Sequence, residues 1–131
     1  MAITFTQPAA ELRLFRTTFG NITAKTANYT ITADESGTIF TNQAAAGSVF
    51  FTLPAQATGL WYLFANVELQ NMTIVADTVD TIAAFNDVAA DNVSYSTANE
   101  QCGGGFLVFS DATNWVVLPL AFDSQTQTVG T

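Results

Sequence analysis

An all-β body is the fold class this sequence predicts, and three observations predict it. Thr (20 residues) and Phe (11 residues) are abundant, and both suit a pleated, half-buried surface. Charged residues make up only 11% of the chain, and a single Lys and two Arg leave little to build amphipathic helices. Short apolar or alternating runs recur between clusters of Gly, Asn, Asp and Ser. Together these predict a β-sandwich or jelly-roll-like body of about ten short strands, preceded by an extended N-terminal arm. The 131 residues are one domain's worth of chain, enough to bury a core.

Taken in order, the strands are expected at 12–18, 27–32, 38–42, 48–53, 60–68, 73–76, 82–85, 93–96, 105–110 and 114–120. In the second, Tyr29 and Ile31 alternate with Asn28, Thr30 and Thr32, so one face is wet. Residues 33–37 then turn, with Gly37 supplying a positive φ. Val49-Phe50-Phe51 and Leu60-Trp61-Tyr62-Leu63-Phe64 are apolar on both faces. Such strands are expected to be covered on both sides, by a second sheet or by a neighbouring subunit. Pro54 ends one strand because it lacks the ladder donor, and Gly59 opens the next. Residues 54–58 and 86–91 have room for a single helical turn each. Gly103-Gly104-Gly105 reads as a flexible approach to the Phe106 strand, which is joined to the Trp115 strand by a tight hairpin at 110–114. No internal repeat is visible. Residues 123–131 are polar and read as a loose tail, which leaves three regions: 1–25, 26–122 and 123–131.

Charge divides the chain unevenly. Arg13, Arg16 and Lys25 all fall in the first 25 residues, where Glu11 is the one acid, so this segment is +2. Residues 26–131 hold the other ten acids and no base, a charge of −10. A weakly basic arm on a self-repelling acidic body is the functional form of that split. The body is a poor match for nucleic acid, whose phosphates need clustered Lys and Arg. The apolar runs fall well short of the roughly 20 residues of a membrane helix, and the first residues lack the basic and apolar regions of a secretion signal.

Candidate chemistry is sparse. The chain has no His, which removes Ser-His-Asp and Cys-His catalysis and His metal sites. Cys102 is the one cysteine, so no intrachain disulfide or Cys-rich zinc site forms, and it has no neighbouring base to activate it. Asp77 with Asp80, and Asp87 with Asp91, are oxygen donors in turn-like stretches, without the dense spacing of a calcium loop. Gly103-Gly104-Gly105 lacks the Lys-Ser/Thr of a phosphate loop. Trp61, Tyr62, Phe64, Trp115 and Phe122 are either core residues, subunit contacts or a sugar platform. No cofactor, metal or catalytic group is expected.

Four segments, in order, resemble small virion proteins of tailed bacteriophages. They are Tyr29-Thr30-Ile31-Thr32-Ala33-Asp34-Glu35-Ser36-Gly37-Thr38-Ile39-Phe40; Phe51-Thr52-Leu53-Pro54-Ala55 with Gly59-Leu60-Trp61-Tyr62; Met72-Thr73-Ile74-Val75-Ala76 with Asp80-Thr81-Ile82; and the hairpin from Leu107 to Trp115. The resemblance covers about residues 29–118. It departs at Ala112, where the family pattern usually has Gly. It implies a non-catalytic structural protein, either a capsid decoration (cement) subunit or a module of a head or tail fibre. The short chain, without stalk or repeats, favours decoration.

The expectation is therefore a head decoration subunit that binds the major capsid protein on the outer shell, associates with itself as a homotrimer, and contacts neither nucleic acid nor membrane. It would be made in the bacterial host cytoplasm and reside on the virion. Attachment is expected from the arm, through Ile3, Phe5, Leu12, Arg13, Leu14, Phe15 and Arg16. A fibre module binding a host surface, or a carbohydrate-binding β-sandwich using Trp61, Tyr62 or Trp115, are the alternatives.

Overall fold

The computed structural model describes residues 21–95, 102–120 and 127–131. Two sheets hold all the strands of these residues. The first sheet contains β1 (Ile22–Ala24), β3 (Ile39–Thr41), β5 (Trp61–Ala65), β10 (Gly105–Ser110), β11 (Trp115–Leu120), β7 (Ile82–Ala84) and β8 (Asp87–Ala90), in that spatial order. The second contains β12 (Gln127–Gly130), β9 (Asn92–Tyr95), β6 (Met72–Val75), β4 (Val49–Thr52) and β2 (Tyr29–Thr30). The two-sheet, all-β body expected from the sequence is present.

The way the chain fills the two sheets is less expected. From β1 to β6 it alternates sheets at every strand, so β1, β3 and β5 lie side by side and parallel, as do β2, β4 and β6. This is a two-sided coil. Its turns are unequal: residue 22 pairs with 39 and 39 with 63, while 29 pairs with 51 and 51 with 74. A structural repeat of irregular length leaves no period in the sequence. From β7 onward the pairing is mostly antiparallel, and β10 closes the coil by pairing with both β5 and β11.

Alternate residues of each sheet fill the core. Phe40, Phe51 and Phe64 form an aromatic cluster with ring centroids 5.2–5.7 Å apart, extended by Tyr62 and Trp115. Tyr95 stacks on Phe106 across the sheets at 4.8 Å. Aromatic packing of this kind adds roughly 0.5–1.5 kcal/mol per pair beyond the area buried.

One end of the coil is locked by asparagines. Asn42 and Asn66 follow the paired residues Thr41 and Ala65, so they stack at the same turn of successive coils, and both are buried. The Asn42 amide donates to Asn66 Oδ1 (2.8 Å), and both amides donate to the Gln70 carbonyl. Asn42 Oδ1 accepts the Val67 amide at 2.9 Å. The connection from 66 to 71 thus finds its backbone partners in side chains.

Several expectations change. Residues 86–91 are not a helical turn: Phe85 and Asn86 are a two-residue turn with φ of 50° and 68°, joining β7 to β8. Residues 54–58 form no helix. β1 lies within the segment assigned to the arm, and β12, paired with β9, within the segment assigned to a loose tail. Gly103-Gly104-Gly105 is not a flexible approach. Its Gly103 amide donates to the Asn66 carbonyl and its Gly104 carbonyl accepts the Asn66 amide. A Cβ on Gly105 would collide with the Phe64 carbonyl oxygen. These glycines permit close packing. The strand expected at 12–18 lies outside the described residues.

Candidate interaction surface

The strands of the first sheet alternate sides, and the side turned away from the core is apolar as well. Register aligns Ile22, Ile39, Leu63, Leu107 and Leu118 in one row across five neighbouring strands. Their strand neighbours Phe40, Tyr62, Phe64, Val108 and Val117 point into the core, so this row points out. A second row places Trp61, Phe109 and Val116 side by side. Exposure is greatest at the two ends of the first row, 63% at Ile22 and 45% at Leu118, and is 49% at Leu120. Six of the seven strands contain no charged residue, the exception being Asp87 on the edge strand β8.

The acids sit outside this row. Asp34 and Glu35 are in the 3-10 turn Ala33–Glu35, and Glu68, Asp77, Asp80, Asp91 and Asp111 are in connections between strands. Most have local work. The Asp80 carboxylate accepts the Gln56 amide (2.9 Å), Asp77 accepts the Thr78 amide and Asp87 accepts the Ala89 amide. Asp111 accepts amides from Thr113 and Asn114, and these bonds, Asn114's first, hold its carboxyl below the usual range. Among the described residues, no group of three or more His, Cys, Asp or Glu gathers as metal ligands would.

Lys25, the one base of the described residues, lies 3.4 Å above the Tyr29 ring centroid, and the Tyr29 hydroxyl donates to Glu35 at 2.6 Å. Burial pushes the Glu35 carboxyl up. Hydrogen bonds from Tyr29 and Thr32 and the charge of Lys25 outweigh it, and the net shift is down. This triad ties the start of the coil to its first turn. All three residues are half-buried.

Of the residues singled out from the sequence, Tyr62, Phe64 and Trp115 are in the core, so Trp61 is the one described member of the sugar-platform set that reaches the surface. Cys102 is exposed beside Gly103. Ile3, Phe5, Leu12, Arg13, Leu14, Phe15 and Arg16, and also Phe122, lie outside the described residues. Sequence reasoning marked the β5 run as apolar on both faces but missed the row it joins. The signal was present in Leu107 and Leu118, which flank the 110–114 hairpin symmetrically.

No family model matches the chain, and no curated protein matches it in sequence. No helix of the described residues is long and apolar enough to cross a membrane.

Proposed function

We propose that this protein is a non-catalytic structural subunit of a bacteriophage virion, a head decoration (cement) subunit that binds the major capsid protein and assembles with copies of itself. One observation carries the reading: a small two-sheet body presents an apolar sheet face whose outward row carries no charge, while the acids fall in the turn and the connections between strands. That surface is made for assembly, since monomeric domains rarely leave an apolar patch beyond a few hundred Å² uncovered. The ordered segments resembling phage virion proteins agree with it. Their first string spans β2, the 3-10 turn and β3, and their last is the β10–β11 hairpin.

In this reading the N-terminal residues make the coat contact. Ile3, Phe5, Leu12, Leu14 and Phe15 would bury apolar area at about 25 cal/mol/Å², while Arg13 and Arg16 meet acidic groups of the coat. Mechanical stabilisation then comes from many weak copies acting together on one shell.

The test is removal of residues 1–20, a cut that stops short of β1. The truncated protein should keep its far-UV spectrum and lose co-sedimentation with capsids. Truncated protein that decorates capsids as well as the full chain would refute the arm as the attachment. Arg13→Glu with Arg16→Glu should weaken capsid binding most at low salt.

A further inference from the structure

We infer that the outer face of the first sheet, centred on the row of Leu63, Leu107 and Leu118, is the surface through which copies of this chain meet. The inference rests on the reading of a self-assembling subunit and names the surface that reading leaves open.

Size is the first support. Strands spaced about 4.8 Å apart and rising about 3.3 Å per residue make this face several hundred Å² in plan. The five strands of the row hold 23 residues, which makes about 360 Å² in plan, roughly half of one side of a standard interface and the scale of a weak, concentration-dependent contact. A patch of this size has no partner within the described fold, because the second sheet covers only the opposite side.

Charge is the second support. The body repels its own copies wherever its acids come together. Here they need not: the acids fall in the 3-10 turn and the connections at strand ends, and the row itself carries none. Two copies can therefore bury this face while their acids stay in the hydrated rim, the usual arrangement of an apolar interface core in a polar border. A basic partner would be drawn to that rim instead.

Shape is the third. The row is continuous because the register is unbroken from β1 to β11. Identical pleated faces pack at about 10 Å with side chains interleaved. A second copy supplies such a face without any further design.

Leu118→Asp is the direct test, because Leu118 is half exposed and its removal opens no cavity in the core. Sedimentation velocity across a wide concentration range should show multi-copy wild type, and the variant should associate at least about a hundredfold more weakly, since it would bury an unpaired carboxylate in the contact. Leu107→Asp should behave alike. Val79→Asp, on an exposed connection, should associate as wild type does. Circular dichroism and melting curves confirm that each variant is folded.

A monomeric wild type overturns the inference, whether or not removing residues 1–20 then releases self-association. So does an oligomer that Leu118→Asp and Leu107→Asp leave intact. Capsid co-sedimentation is scored separately. Self-association through this face without capsid binding would keep the surface and sink the decoration reading, and capsid binding by a monomer would do the reverse.

Discussion

The two outer faces of the body are built on the same alternation and end in opposite chemistry. Across the first sheet the outward row reads Ile22, Ile39, Leu63, Leu107, Leu118. Across the second, one outward row reads Phe50, Thr73, Ser94, Thr128 and another Thr30, Thr52, Val75, Asn92. The Ser94 and Thr128 hydroxyls lie 3.3 Å apart in hydrogen-bond contact. Hydroxyl rows satisfy themselves and water; alkyl rows can only be covered. One sheet is finished as a surface, and the other is left for the second copy inferred above to cover.

The contrast extends to the glycines. Gly105 on β10 leaves no room for a side chain, because a Cβ there would strike the Phe64 backbone oxygen of β5. Gly130 on β12 is equally crowded, but by the Asn92 side chain, which can swing away. Gly105→Ala should therefore cost about 3 kcal/mol or more, and Gly130→Ala under about 1 kcal/mol, read from urea midpoints. Equal losses would mean that the first sheet is no more tightly constrained than the second.

Next in size is the asparagine lock. Asn66→Leu would remove the shorter of the Asn42 amide's two acceptors, in buried surroundings, and one of the Gln70 carbonyl's two donors. A loss of about 2–3 kcal/mol is expected. A loss below about 1 kcal/mol in the same unfolding assay would show that the coil ends are not held by these side chains.

Tyr62 and Trp61 sharpen the comparison within a single strand, since they point to opposite sides of β5. Burial, then the nearby Glu35 charge, pushes the Tyr62 hydroxyl up to about 12. A folded-state pKa raised above the unfolded 10.0 contributes stability that is complete below pH 10 and lost as the pH climbs toward 12. Alkaline melting curves should fall through that window, and Tyr62→Phe should flatten the fall. At neutral pH the same variant should cost about 1 kcal/mol for the hydrogen bond to the Thr32 carbonyl. A tyrosinate absorbance step near pH 10 that Tyr62→Phe removes would contradict the burial of this residue.

Much of this contrast was legible in the residues, and some was not. Strands announced by aromatic and β-branched runs were found, because a pleated, half-buried surface selects them. The turns at Gly37 and 110–114 were found through their chemistry. Three short strands were missed: β1 and β12 are short edge strands whose formation depends on pairing, and β8 follows a turn with Phe85 at positive φ, a residue that gives no turn signal. The coil was missed because its turns differ in length. The apolar face was missed because it is a property of register: the hairpin brings Leu107 to Leu118, but Leu63, Ile39 and Ile22 are far from it in sequence and join the row only once the strands are paired.

The smallest expected effect separates the face from its scaffold. Ala112, where the resembling proteins usually have Gly, sits at φ 72° in the hairpin that joins β10 to β11. An alanine there strains its Cβ against the backbone by about 1 kcal/mol, and glycine adopts the same conformation freely. Asp111 already fixes the loop by accepting the Thr113 and Asn114 amides at 2.8 Å, so the register of Leu107 against Leu118 does not depend on the residue at 112. Ala112→Gly should therefore raise stability by about 0.5–1 kcal/mol, less the added entropy of the unfolded chain. Self-association measured by sedimentation should stay unchanged. If association tightened along with stability, the contact would be limited by the order of the hairpin, and the apolar row alone would not account for the difference between the two faces.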